Sequence, residues 1–203
     1  MGRGTEVDLS RPAPPPRRRP VAVLIGGPPA SGKTTLAAAL APALGAAPLD
    51  LDAATGPLTA LVLELIGARD LSEHEAAALT RDRRYATLLA LAGDIARAGL
   101  PTVLTAPFTR ERTPAGWAAA TAELAQDAEP RLVWLTVPAA ESVRRLESRA
   151  AARDTGKRAD PAAWLASLPI DPPSVEHLAL DGTVSVGALV EAVRADLAER
   201  TEA

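Results

Sequence analysis

The chain has 203 residues, 47% apolar and 23% charged, with a formal net charge of −3 and no cysteine. These values fit one soluble globular domain. They exclude disulfides, thiolate catalysis and cysteine-ligated zinc, and they supply no global basic field for nucleic acid.

Residues 1–20 read as a disordered leader, because Pro12, Pro14, Pro15, Pro16 and Pro20 forbid regular structure and Arg17, Arg18 and Arg19 repel one another. Val21 to Ile25 is a continuous apolar run, the pattern of a strand covered on both faces. A Gly/Pro segment over 26–32 follows, then a helix over Lys33–Leu44 with Gly45 as its stop. Pro48 to Asp52 is expected as a second strand, and Leu58 to Ile66 as a helix ended by Gly67. Ser72 and Glu75 have capping-box spacing for a long helix whose apolar positions run through Leu79, Leu88, Leu89, Leu91 and Ile95 to Gly99. Pro101 to Thr105 is the next strand, and Thr113 and Pro114 place a helix over 115–127. Leu132 to Val137 is a further strand. A basic helix is expected from Ala139 to about Arg153, with a break at 154–157 and a short helix from Asp160 to Leu168. Pro169, Pro172 and Pro173 mark a loop, Val175 to Leu180 a last strand, and 185–200 a closing helix. Strands alternating with helices predict a parallel sheet covered on both faces. No run approaches the roughly 20 apolar residues of a membrane span, and the first residues lack the apolar segment of a secretory signal, so a cytoplasmic location is expected.

Gly27-Pro28-Pro29-Ala30-Ser31-Gly32-Lys33-Thr34 matches the phosphate-binding pattern G-x-x-x-x-G-K-[ST] without a gap, and Thr35 follows it. Glycines let successive backbone amides point at phosphate oxygens, and the helix opening near Lys33 adds its positive end. Lys33 can reach the β- and γ-phosphates as a point charge, and Thr34 offers a hydroxyl to Mg²⁺. The motif follows a predicted strand and opens a predicted helix, the context it needs. The chain contains no Asn, so the N-K-x-D signature of guanine-binding GTPases is absent.

Asp50 and Asp52 fall at the expected end of the second strand, the sheet edge where open parallel sheets bind ligands. A carboxylate there can orient or deprotonate an acceptor hydroxyl, and Asp52 is preferred. The competing reading is a helix cap. Arg145, Arg149 and Arg153 recur every four residues on the basic helix. Arg149 and Arg153 are the preferred pair to close over a γ-phosphate, against a solvated helix paired with Glu141 and Glu147. One of Arg81, Arg83 and Arg84 can hold an anionic acceptor or orient Asp52, with Arg84 taken as the acceptor-side residue. His74 and His177 are too dispersed for a histidine metal site and read as structural.

With these motifs the chain resembles the P-loop small-molecule kinase family, which takes in polynucleotide kinase-like AAA-type ATPases. It includes gluconate kinases, chloramphenicol phosphotransferase, zeta-toxin-like kinases and the kinase domain of polynucleotide kinase. The resemblance rests on Gly26 to Thr35, on the acidic end of Leu49-Asp50-Leu51-Asp52, and on Arg149 to Asp154. It implies an α/β P-loop NTPase three-layer sandwich, a shikimate-kinase-like five-stranded parallel sheet of order 2-3-1-4-5, and a helical lid at about 149–170 within a kinase domain spanning 21–203. It also implies γ-phosphoryl transfer from ATP (or GTP) with Mg²⁺ to a hydroxyl of a small molecule. Thr105 stands where many relatives carry an Asp, which leaves Thr34, the phosphates, water and Asp52 to hold the ion. An antibiotic, sugar or nucleoside acceptor fits this class. A polynucleotide 5′-hydroxyl is disfavoured by the net negative charge. The rival reading is a nucleotide-binding regulatory module without phosphotransfer.

Overall fold

The apolar run after residue 20 forms β1 (Val21–Gly26), buried from Ala22 onward. Ala22 and Leu24 face one side of the sheet and Val23 and Ile25 the other, as the two-residue period of a strand requires. The computed structural model describes residues 18–68, 71, 74–148, 166, 168 and 171–202. Its remaining strands are β2 (Ala47–Asp50), β3 (Thr102–Thr105), β4 (Glu129–Thr136) and β5 (Leu178–Asp181). All pairings are parallel and the order is β2-β3-β1-β4-β5, the order that the resemblance implies.

The helices are α1 (Lys33–Leu44), α2 (Leu51–Ile66), α3 (His74–Arg97), α4 (Pro114–Thr121), α5 (Leu124–Asp127), α6 (Ala139–Ser148) and α7 (Val186–Glu202). Leu51 of α2, Leu88 and Ala92 of α3 and Leu124 of α5 pack on the face carrying Leu24, Leu104 and Leu132. Leu36 and Leu40 of α1, with Leu189 and Val193 of α7, pack on the face carrying Ile25, Val103 and Val133. The result is the expected three-layer sandwich, with two apolar cores separated by one sheet.

The largest departure from expectation lies after β2. The strand stops at Asp50 rather than Asp52, and α2 begins at Leu51 rather than Leu58. Asp50 Oδ1 accepts the amides of Asp52 and Ala53 at 3.0 Å each, a full N-cap. That cap, with Thr55 and Thr59 buried along the helix, outweighs the breaker Gly56-Pro57. Asp52 therefore sits in the first turn of a helix, not at a strand end. The single helix expected over 115–127 is split into α4 and α5. Its start is as expected, with Thr113 Oγ1 accepting the Gly116 amide at 3.2 Å. β4 starts earlier than expected, because Val21 pairs with Glu129 at the sheet's far end. β5 is displaced to 178–181. The break at 154–157, most of the helix expected over 160–168, and residues 1–17 of the leader lie outside the described residues. Among the described residues no helix is long and apolar enough to cross a membrane.

Candidate functional site

The chain leaves β1 through a tight curl. Gly27 has φ 136° and Ala30 φ 60°, both in the left-handed region. A Cβ at Gly27 would stand 2.3 Å from the Leu135 carbonyl oxygen, so no larger residue fits beside β4. Gly32 occupies the N-cap of α1 and brings no side chain, which leaves the opening amides of the helix without a side-chain cap. Lys33 lays its ammonium across the loop, donating to the carbonyls of Gly27 at 2.9 Å and Pro28 at 2.7 Å. Ser31 is fully buried, and its Oγ has no hydrogen-bond partner among the described residues. Uncapped amides and a lysine head form a donor set suited to the oxygens of a phosphate chain.

A brace holds this loop from behind. Arg145 of α6 donates from Nη1 to the Ala30 carbonyl at 3.1 Å and from Nη2 to the Gly182 carbonyl at 3.0 Å. Its Nε donates to Glu141 at 2.6 Å. Arg144 grips the same carboxylate, and the two guanidiniums hold Glu141 down to about 2. Ser142 Oγ donates to the Pro29 carbonyl at 3.3 Å. Gly182 follows β5, and a Cβ there would meet the Ser31 carbonyl oxygen at 2.3 Å. Two segments distant in sequence are thus locked onto the phosphate loop.

Across the cleft, α2 and α3 supply the second half of the site. Gly27, Pro29, Ala30, Gly32, Lys33, Thr34, Thr35, Asp50, Asp52, Arg81, Arg84 and Thr105 all line one cavity of about 350 Å³. Asp50 is saturated: besides the α2 amides it accepts the Thr105 hydroxyl on Oδ2 at 2.8 Å. The register Asp50↔Thr105 brings this pair together. Asp52 is 64% exposed and meets Arg84 Nη2 at 2.5 Å. Arg84, only 14% exposed, is fixed by a second bond from Nε to Thr55 Oγ1 at 2.9 Å. An exposed carboxylate on a fixed guanidinium can present one oxygen to a hydroxyl in the cleft. Below it, Arg81 lies 4.3 Å over the Tyr85 ring and pairs with Glu111. Tyr85 Oη accepts the amide of Phe108, a residue at φ 47°. Burial, reinforced by the Glu111 charge, pushes this phenol up to about 12.

The structure thus brings Lys33, Thr34, Asp50, Asp52 and Arg84 to one cleft. Arg149 and Arg153 lie outside the described residues, and so does the expected lid apart from residues 166 and 168. His177 Nδ1 meets the Val175 carbonyl, away from the cleft. Trp134 is core. Among the described residues no group of three or more His, Asp or Glu could hold a metal. Thr34 and Asp52 in one cleft suit a magnesium ion that arrives with phosphates, since that ion takes one or two carboxylates alongside substrate oxygens. Sequence reasoning missed Arg145 as a loop brace, the Thr105 hydroxyl on Asp50, and Glu111 behind Arg81. Each depends on contacts between segments 30 or more positions apart.

A β2-β3-β1-β4-β5 parallel sheet whose first strand runs through a glycine-rich loop into α1 defines a P-loop fold of the small-molecule kinase type. The chain belongs to the AAA domain family, whose sequence profile matches residues 23–169. Among solved structures it is similar to a gluconokinase from Sinorhizobium meliloti 1021, at 21% identity over 92% of this chain and 96% of that one, with TM-score 0.61. It is similar to the APS kinase of Mycobacterium tuberculosis, solved with AMPPNP and APS, at 20% identity over 90% and 99%, TM-score 0.64. A shikimate kinase from Acinetobacter baumannii, in complex with shikimate, aligns at 17% identity over 89% and 94%, TM-score 0.53. At these identities the likeness shows the fold. No curated protein sequence matches the chain.

Proposed function

We propose that the protein is a kinase that transfers the terminal phosphoryl group of ATP to a hydroxyl group of a small molecule. The observation that carries this reading is one cleft with a phosphate cradle on one wall and Asp52, held by Arg84, on the other. The M. tuberculosis APS kinase, of the same fold, was solved with a triphosphate analogue and a small second ligand together, which supports a two-substrate cleft.

In the proposed reaction the acceptor oxygen forms a bond to the γ-phosphorus as the bond from that phosphorus to the β-phosphate oxygen breaks. ADP leaves and the hydroxyl proton passes to the Asp52 carboxylate. Lys33 and the loop amides neutralise charge on the phosphate oxygens. Arg84 keeps Asp52 aimed into the cleft. Arg145 keeps the loop in register with the β5–α7 turn. Magnesium, bound with the nucleotide near Thr34 and Asp52, would supply further charge neutralisation. Arg149 and Arg153 are proposed to add positive charge from the lid.

The test is ATP consumption with a panel of hydroxylated acceptors, and identification of the phosphorylated product by mass spectrometry. ATP binding with no product across sugars, nucleosides and antibiotics would overturn the assignment.

A further inference from the structure

Two arginines on the acceptor wall, Arg81 and Arg84, would ordinarily mark recognition of a carboxylate or phosphate. Here both are already matched. Arg84 is held by Asp52 and Thr55. Arg81 Nη2 meets both carboxylate oxygens of Glu111 at 3.3 Å. Among the described residues Asp52 and Glu111 match these two guanidiniums, Asp82 Oδ1 stands 3.5 Å from Arg81 Nη1, and Asp50 adds a further carboxylate to the cleft. Glu111 does not itself line the cleft. It sits on the far side of Arg81, in a groove between α3 and α4, and its side chain is only 6% exposed.

That placement fixes what Arg81 can do. An anionic acceptor drawing Arg81 Nη2 into the cleft would weaken the pairing of a buried carboxylate, and an isolated buried charge is strongly unfavourable. An anion turning instead to Arg84 would displace Asp52, the proposed base, or crowd against it. A hydroxyl, ether or carbonyl oxygen can accept from the arginines without disturbing either pair. Leu51, Leu71, Ala106 and Pro107 add an apolar flank to the same cavity.

We infer that the acceptor is uncharged, a polyhydroxylated molecule with an apolar face, and that Glu111 sets this preference by acting through Arg81. This rests on the phosphotransfer reading above. Glu111 is a positioning and specificity residue, not a catalytic one, since it touches neither substrate.

The test uses the full chain with matched acceptors that differ in one carboxylate, glucose against glucuronate, and compares the parent with Glu111→Gln. The parent is expected to favour the neutral sugar by about tenfold or more in kcat/KM, and Glu111→Gln to narrow or invert that ratio. A parent that favours glucuronate, or a ratio unmoved by Glu111→Gln, overturns the inference. If neither sugar is phosphorylated, the AMPPNP complex is titrated calorimetrically with sulfate and with glucuronate. Weak or no anion binding in the parent, with about a fivefold or larger gain in Glu111→Gln, supports the charge rule even where the kinase reading fails. Submillimolar anion binding by the parent, or no gain in Glu111→Gln, refutes the rule; where Glu111→Gln does not fold, the parent's anion affinity alone decides, weak binding supporting the rule.

Discussion

Arg145→Ala removes the brace that ties the phosphate loop to the β5–α7 turn. Two guanidinium-to-carbonyl bonds disappear, at 3.1 and 3.0 Å, along with the contact to Glu141. Hydrogen bonds from a charged donor contribute about 1.5–3 kcal/mol each when buried. The side chain is 26% exposed, so solvent screening reduces the pair to about 2–3 kcal/mol in total. For a chain of this size that corresponds to a fall in Tm of roughly 4–12 °C. The Ala30 and Gly182 carbonyls lose a common anchor, so the loop must order itself when nucleotide arrives, and ATP affinity should fall by about tenfold. Scanning calorimetry without ligand and fluorescent-nucleotide binding measure the two effects separately. Arg144→Ala is the control, because Arg144 contacts only Glu141 among the described residues and stands 69% exposed; it should shift neither measurement. An Arg145→Ala protein that melts with the parent and binds ATP equally well would refute the brace.

Lys33→Ala should weaken triphosphate binding and reduce phosphotransfer by about a hundredfold or more, checked by binding and turnover on the same preparation. Asp52→Asn should lower kcat by about 10²–10⁴ with ATP affinity within about twofold, because Lys33, Thr34 and the loop amides still hold the nucleotide. Gly182→Ala should behave like Arg145→Ala in nucleotide binding, since its Cβ would meet the Ser31 carbonyl at 2.3 Å. Tyr85, raised from 10.0 to about 12, contributes stability that is fully present below pH 10 and is lost as pH climbs toward 12, a change of about 3 kcal/mol. Alkaline denaturation curves of Tyr85→Phe should lack that loss, and parallel curves for both proteins would dismiss the effect.

The sequence pattern was a good guide wherever one segment decides its own structure. The buried run at Val21, the helix from Lys33 to the stop at Gly45, the strand Thr102–Thr105 and the cap at Thr113 all follow from local chemistry. The phosphate loop was legible for the same reason: a glycine curl needs no distant partner to be recognised. The start of α2 was missed because two local signals conflict there. Asp50 caps and Gly56-Pro57 breaks, and burial of Leu51, Thr55 and Thr59 decides between them. The brace and the acceptor wall were not legible, since Ala30 meets Arg145 across 115 positions and Arg81 meets Glu111 across 30. Such meetings depend on strand order and helix pitch, and neither is encoded in the spacing of single residues.

The absence of an acid at Thr105 looks at first like a loss, yet the register of β2 against β3 turns it into a division of roles. Thr105 points its hydroxyl at Asp50 and occupies the oxygen that the α2 amides leave over. With both oxygens engaged, Asp50 is committed to anchoring the first turn of α2. That turn carries Asp52, two residues on, out of the sheet edge and over the cleft toward Arg84. An aspartate at position 105 would instead set a second negative charge against Asp50 and compete for the same amides. The threonine therefore keeps the cap intact, and the cap places the one cleft carboxylate, among the described residues, that is exposed enough to meet an acceptor.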